Sequence, residues 1–124
     1  MNITYEKMLE MSASELTDIL AEYIYTPIPV AITSPDDMLK AGEILAEITN
    51  KYSYFMSVLM RMKIRVRELR KDGSKKQEYD EMMGRRDSVE ACTQILKQYY
   101  AGLSRMVSTR QEALKEINMS TPVT

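Results

Sequence analysis

The residues best suited to chemistry in this sequence are the arginines and lysines of a basic tip, residues 61–86. The tip holds ten Lys or Arg against five Asp or Glu, a net charge of +5, although the whole chain of 124 residues carries only −1. Guanidinium and ammonium groups bind phosphates and carboxylates, so the tip is a candidate contact for nucleic acid or for an anionic protein surface. The side chains predicted to make this contact are Arg65, Arg67, Arg70, Lys71, Lys75 and Lys76.

A second interpretation of the basic tip needs no nucleic acid. Lysines and arginines beside an apolar helical stripe commonly lie over neighbouring apolar surface and pair with acids of an adjacent chain. Residues 1–60 would supply such acids, because they hold nine Asp or Glu against three Lys or Arg. We therefore rank a protein partner first and DNA or RNA second. Salt separates the two, because phosphate binding weakens steeply as salt is added.

Enzymatic chemistry has few candidate residues. Histidine is absent, which excludes catalytic triads that use it and zinc sites that contain it. The sequence has no phosphate-binding glycine loop and no nucleophile elbow. The single cysteine, Cys92, stands at an apolar helical position and is expected to be buried. We predict a protein that is not an enzyme and that has neither a cofactor nor a metal.

Two long helices are needed to position the basic tip. Residues 35–119 are predicted to form an antiparallel, coiled-coil-like helical hairpin with its turn at 72–74. Ser34 is a suitable N-cap for the first arm, and Pro35 suits the first helical position. Apolar residues recur along that arm at steps of three and four, the spacing that keeps one seam against a partner helix. They are Met38, Ala41, Leu45, Ile48, Tyr52, Phe55, Leu59, Met62, Val66 and Leu69.

The predicted turn also sets a register between the arms. Gly73 is expected to adopt the left-handed conformation that ends helices, and Ser74 with Gln77 is expected to form the capping box of the second arm. Folding about Gly73 brings Met62 near Met83. The same register predicts close backbone approach between two groups of small residues, Ala41, Gly42 and Ala46 against Ala101, Gly102 and Ser104.

The residues before the hairpin are predicted to complete a single all-α domain. Residues 1–24 form a short N-terminal helical segment, with an amphipathic helix over 13–24. Residues 25–34 contain Pro27 and Pro29, which exclude a helix and favour an extended strap across the hairpin. An exposed, proline-containing ligand for another protein is the alternative interpretation of the strap.

The second arm has an apolar face wider than one seam. Adjacent apolar pairs need more than one neighbour, and the helix over 13–24 is too short to cover them. A second copy of the chain is the simplest cover, so we predict a homo-oligomer, a dimer or higher. The predicted interface residues are Ile95, Tyr99, Tyr100, Met106 and Val107. Arg110 interrupts this face, and the register predicts a structural ion pair with Asp36 and Asp37.

The chain resembles the small all-helical accessory proteins of bacteriophages. The likeness covers roughly residues 36–118 and lies in size, in the helix–short turn–helix plan and in an ending such as Leu103-Ser-Arg-Met-Val-Ser-Thr-Arg110. It implies a non-enzymatic protein that works beside DNA recombination, replication or host-defence machinery, and it supplies no site residues.

The sequence contains no run of about 18 apolar residues, so we expect no membrane span. We also recognise no secretory signal at its start. A cytoplasmic location is expected, in the host cell if the protein is phage-encoded.

Overall fold

The computed structural model describes the backbone of residues 3–120 and the side chains of residues 3–117. Over these residues the protein is helical and contains no β-strand, which confirms the all-α prediction. The elements are α1 (Tyr5–Leu9), α2 (Ala13–Ile24), α3 (Pro35–Arg70), a 3₁₀ turn (Gly73–Lys75) and α4 (Lys76–Ser120).

The start of α3 is fixed by a reciprocal capping box. The hydroxyl of Ser34 accepts a hydrogen bond from the Asp37 backbone N–H at 3.1 Å, and the Asp37 carboxylate accepts one from the Ser34 backbone N–H at 3.2 Å. The backbone and side chain of Thr33 also donate to this carboxylate, and these bonds lower the pKa of Asp37. Pro35 occupies the first turn, where a helix needs no N–H donor. The predicted start of the first arm is confirmed.

The turn between α3 and α4 differs from the prediction. No glycine among the described residues has a positive φ, so Gly73 does not end α3 in a left-handed conformation. The carboxylate of Asp72 instead accepts hydrogen bonds from the N–H and the hydroxyl of Ser74, at 3.1 and 2.6 Å. These bonds lower the pKa of Asp72 and start the 3₁₀ turn. An aspartate cap therefore replaces the predicted box of Ser74 with Gln77.

Gly73→Ala is expected to leave the free energy of unfolding unchanged or to raise it by up to about 1 kcal/mol. A Cβ at this position meets no atom within 4 Å, and alanine reduces the freedom of the unfolded chain. Urea denaturation measures the effect, with Asp72→Ala as the matched variant, because loss of a cap costs about 1 kcal/mol. A larger loss for Gly73→Ala than for Asp72→Ala would contradict the observed turn.

The main core is formed by α3 and α4 together with α1 and α2. Helices α3 and α4 contact each other in reverse order of sequence. Arg65, late in α3, lies 3.9 Å from the Glu78 carboxylate early in α4, and Ile48 shares a cavity with Leu96. Most of the predicted seam of α3 is buried, and Met38, Leu45 and Tyr52 are half-buried. The buried apolar residues of α4 are Met82, Val89, Cys92, Leu96 and Leu103.

The small residues predicted to face each other do not meet. Gly42 and Gly102 are exposed, and a Cβ built on either meets no atom within 4 Å. Gly42 directly follows the buried Ala41 and Gly102 directly precedes the buried Leu103. One residue rotates an α-helix by about 100°, so both glycines point away from the core. The close backbone approach lies elsewhere, at Gly84 of α4, where a Cβ would come 2.9 Å from the Cβ of Ala13 in α2.

Helices α1 and α2 cover one face of the α3–α4 pair. Leu16, Leu20 and Ile24 of α2 are buried in the main core. The hydroxyls of Thr17 and Ser88 are 2.7 Å apart, which fixes α2 on α4. At the other end of α2, the Tyr23 ring meets the Phe55 ring of α3 edge-on, and Lys51 donates a hydrogen bond to the Tyr23 carbonyl oxygen at 3.1 Å. The start of α2 is as predicted, because the Ser12 hydroxyl accepts from the Glu15 N–H at 3.2 Å.

The strap, residues 25–34, is non-helical and packs at the end of the α3–α4 pair away from the turn. Ile32 is buried with Ala41 of α3 and Leu103 of α4. Val30 is fully exposed, so only part of the alternating apolar pattern of the strap faces the helices. The strap therefore covers apolar surface of α4 that would otherwise need a partner.

Candidate functional site

One face of the α3–α4 pair is left uncovered by α1, α2 and the strap. Ser88 of α4 contacts α2, and Lys97 projects from the opposite side of α4, because the helical period sets the two about half a turn apart. The same relation holds on α3, where Lys51 contacts α2 and Met60 lies about half a turn away. Met60 is 62% exposed. A broad surface of both long helices therefore faces solvent.

Each long helix contributes one stripe of side chains to this uncovered face, at steps of three or four residues. The stripe of α3 is Thr49, Tyr52, Met56, Met60, Lys63 and Arg67. The stripe of α4 is Tyr79, Met83, Arg86, Glu90, Thr93, Lys97 and Tyr100. Thr93 is buried, and the other side chains are half-buried or exposed. These thirteen residues define the uncovered face.

A cavity of about 250 Å³ opens in the uncovered face. Its lining includes the buried side chains of Ile48 and Leu96, which make an apolar floor. Tyr52 and Tyr100 flank the opening, and Lys97 lies at its edge. An apolar floor with amphipathic tyrosine walls suits an apolar side chain of a partner, because the tyrosine rings supply contact area and their hydroxyls remain in water.

The charges of the uncovered face are mostly positive. It carries four cations and one acid, Glu90. Arg86 pairs with Asp87 at 2.8 Å. The ion pairs within the described residues include none of Lys63, Arg67 and Lys97. These three cations are therefore available to an anionic partner.

The covered side of the protein has the opposite charge. Helices α1 and α2, with the short turn between them, carry Glu6, Glu10, Glu15, Asp18 and Glu22 against a single lysine, Lys7. All five acids are exposed. The acidic first half of the sequence thus lies largely on one side of the molecule, and the cations of the tip extend onto the other.

The residues predicted to contact nucleic acid or an anionic partner do not act as one group. Arg65 is engaged inside the protein, at 3.2 Å from Glu68 and 3.9 Å from Glu78. Arg67 belongs to the uncovered face. The others are exposed around the turn, and the described ion pairs include none of them. They are Arg70, Lys71, Lys75 and Lys76.

Two further arginines of the basic tip hold the N-terminal helices. The Arg61 guanidinium lies 3.9 Å from the centroid of the Tyr5 ring in α1. Arg85 donates a hydrogen bond to the carbonyl oxygen of Met11 at 2.8 Å, just before α2. Part of the tip's positive charge therefore stabilises the fold and is not directed at a partner.

The residues predicted to form an oligomer interface are distributed over several surroundings. Tyr100 is 45% exposed and lies on the uncovered face. Ile95 is also exposed, but it lies on another side of α4, outside the uncovered face. Tyr99 packs against the main core, and Met106 and Val107 pack against the cluster that the strap completes. The strap and the N-terminal helices supply the additional neighbours that the adjacent apolar pairs of α4 need.

Arg110 lies at the end of the α3–α4 pair away from the turn, as predicted, but its partner is not the predicted Asp36 or Asp37. It donates a hydrogen bond to the backbone oxygen of Thr33 at 3.3 Å. The described ion pairs do not join it to Asp36 or Asp37. The carboxylate of Asp37 instead accepts hydrogen bonds from Thr33 and Ser34 in the capping box. The predicted ion pair is corrected to a contact between Arg110 and the strap.

The described residues offer little reactive chemistry. Cys92 is buried, and burial raises the pKa of its thiol to about 11, which keeps the thiol protonated near neutral pH. Within residues 3–117, no three acidic or cysteine side chains are grouped so that they could hold a metal ion. No helix in the described part of the chain is long and apolar enough to cross a membrane.

Comparisons of the chain with protein-family models, with curated proteins and with solved structures found no match. The resemblance to phage accessory proteins therefore stays a prediction.

Proposed function

We propose that this is a non-catalytic protein that acts by binding another protein through its uncovered face. The observation that carries the proposal is the cavity between α3 and α4, which lies over the buried side chains of Ile48 and Leu96 and opens to solvent between Tyr52 and Tyr100. Methionines extend the apolar surface along the face, and their flexible thioethers adapt to a partner's shape. A partner that covers this surface gains about 25 cal/mol for each Å² of apolar area removed from water.

The scaffold in this proposal is an antiparallel, coiled-coil-like hairpin of α3 and α4. The three- and four-residue spacing of the seam and the reversed order of contacts support it. A pair of packed long helices holds the two stripes of the uncovered face at a fixed separation, which limits the entropy lost on binding. If the bound protein is a second copy of the chain, binding through the uncovered face is self-association.

Photo-crosslinking tests the uncovered face even while the partner is unidentified. We expect a photoreactive amino acid at Tyr100 or Met60 to give discrete adducts in the cells that make the protein, because both side chains lie where the partner would sit. The control position is Asp18, exposed on the outer side of α2. Gel mobility and mass spectrometry identify each adduct, and an adduct of twice the chain mass reports self-association. Adducts from Asp18 alone, or none from any position, would contradict the proposal.

Nucleic-acid binding is the second candidate function. It is favoured by the exposed cations around the turn, which are not among the ion pairs of the described residues. Several such groups at a protruding end can contact successive phosphates. The cavity of the uncovered face is unexplained by this function, because a phosphate backbone does not fill an apolar floor. Protein binding is therefore ranked first.

A further inference from the structure

We infer that the uncovered face binds an acidic amphipathic helix from a partner protein, laid lengthwise between α3 and α4. The inference rests on the proposed function, because it specifies the kind of partner that the uncovered face takes. The surface from Tyr52 to Arg67 corresponds to about 22 Å of helix, the length of a partner helix of about 15 residues.

The shape of the surface favours a helix over an extended segment. The uncovered face consists of two stripes on neighbouring helices, and the cavity lies between them above Ile48 and Leu96. A helix presents apolar residues on one side at steps of three and four, which matches the spacing of the two stripes. One large apolar side chain of the partner would enter the cavity, and its neighbours would lie over Met56 and Met60.

The charge of the surface requires an acidic partner. Lys97 lies at the edge of the cavity, and Lys63 and Arg67 lie further along α3, towards the turn. A helix whose carboxylates flank its apolar stripe would place acids near these cations. Such pairs speed the encounter and exclude partners of the wrong charge.

Other occupants fit the uncovered face less well. A second copy that used its own uncovered face would place cations against cations, which disfavours a symmetric dimer there. A nucleic acid would satisfy the cations but would leave the cavity between Tyr52 and Tyr100 unfilled. An acidic amphipathic helix would place an apolar side chain in the cavity and carboxylates near the cations of the uncovered face.

The protein contains an internal example of the apolar contacts in this packing, although the ion pairs of the described residues include no acid of α2. Helix α2 buries Leu16, Leu20 and Ile24 against the core on the other side of the α3–α4 pair. Its exposed residues include Glu15, Asp18 and Glu22. The α3–α4 pair therefore already holds one acidic amphipathic helix, and the inference assigns a second to the opposite face.

A pair of designed peptides tests the inference on the full-length protein. The acidic peptide is a labelled leucine–alanine–glutamate helix of about 16 residues, and its control carries lysine at each glutamate position. Fluorescence anisotropy should show saturable binding of the acidic peptide and binding of the lysine peptide that is weaker by about ten-fold or more. Equal affinity for the two peptides, or no binding of the acidic peptide, would overturn the inference.

Charge reversal on the protein provides the decisive control. The combination of Lys63→Glu, Arg67→Glu and Lys97→Glu should lower the affinity for the acidic peptide by about ten-fold or more and raise the affinity for the lysine peptide. Circular dichroism at 222 nm checks that this variant and its control stay folded. The combination of Lys71→Glu, Lys75→Glu and Lys76→Glu changes the total charge equally at the turn and should leave the acidic peptide bound. If both variants behave alike, the peptide is responding to net charge and the inference fails.

Two competing occupants appear as distinct results. A single-stranded oligonucleotide that binds and displaces the acidic peptide would assign the face to nucleic acid. A dimer in light scattering that is lost on Tyr100→Glu would assign it to a second copy. Either result overturns the inference. Crosslinks from Tyr100 to another protein, together with failure of the acidic peptide, would leave the proposed function standing and reject only the acidic helix.

Discussion

Leu59→Asp is expected to remove most of the helical circular dichroism signal at 25 °C. Leu59 is 3% exposed and belongs to the main core between α3 and α4. The variant replaces apolar contacts with a buried carboxylate, and no cation in the described core lies ready to pair with it. An unpaired buried charge of this kind costs several kcal/mol, and a domain has only about 5–15 kcal/mol to lose. Circular dichroism at 222 nm and urea denaturation measure the loss.

Two variants of the same helix calibrate this result. Ser57→Asp introduces the same carboxylate at an exposed position and should change the free energy of unfolding by about 0.5 kcal/mol or less. Leu45→Asp should have an intermediate effect, because Leu45 is half-buried and its carboxylate can remain partly hydrated. If Leu59→Asp retained wild-type helicity, the assignment of Leu59 to the core would be wrong.

The helix boundaries could be predicted because short-range signals fix them. Ser12 and Ser34 cap α2 and α3 by bonds to residues three positions later, and such bonds depend only on local sequence. The seam of α3 follows equally from its spacing. The break between α3 and α4 lies at the predicted turn, 72–74, but its conformation was not predicted. Asp72 and Gly73 both suit a helix break, and the aspartate cap formed instead of the left-handed glycine.

What covers each helix could not be predicted from spacing. The adjacent apolar pairs of α4 correctly indicate a wide apolar face, but spacing does not say whether another chain or the same chain covers it. Met106 and Val107 pack with the strap, and Tyr99 packs against the core. The oligomer prediction treated all of them as surplus. Only the position of α1, α2 and the strap separates the covered residues from those that remain exposed.

The candidate site was found only in part for the same reason. The basic tip was evident as a count of charges, but the count cannot distinguish Arg65, which pairs with Glu68, from Arg67, which lies on the uncovered face. Lys97 was missed altogether, because it lies outside the tip. A signal for it exists in the sequence, since Lys97 continues the three- and four-residue steps that run from Tyr79 to Tyr100.

The contact between α2 and α4 predicts an unusual response at Gly84. Gly84→Ala is expected to lower the free energy of unfolding by about 1–3 kcal/mol, although alanine is the better helix former by about 1 kcal/mol. The new Cβ would lie 2.9 Å from the Cβ of Ala13, a distance that forces one helix to move. The Ser88 hydroxyl lies 3.3 Å from the Ala13 carbonyl oxygen and 3.1 Å from that of Gly84, so the displacement would also disturb this link between the helices.

A second glycine of α4 and a compensating change make the Gly84 prediction specific. Gly102→Ala should raise stability by up to about 1 kcal/mol, because a Cβ there meets no atom within 4 Å and only the helix propensity changes. Adding Ala13→Gly to Gly84→Ala removes the opposing Cβ and should recover most of the lost stability, which urea denaturation of the single and double variants measures. If Gly84→Ala proved as stabilising as Gly102→Ala, or if Ala13→Gly failed to rescue it, α2 would not pack on α4 at Gly84. The covered and uncovered faces of the α3–α4 pair would then have to be reassigned.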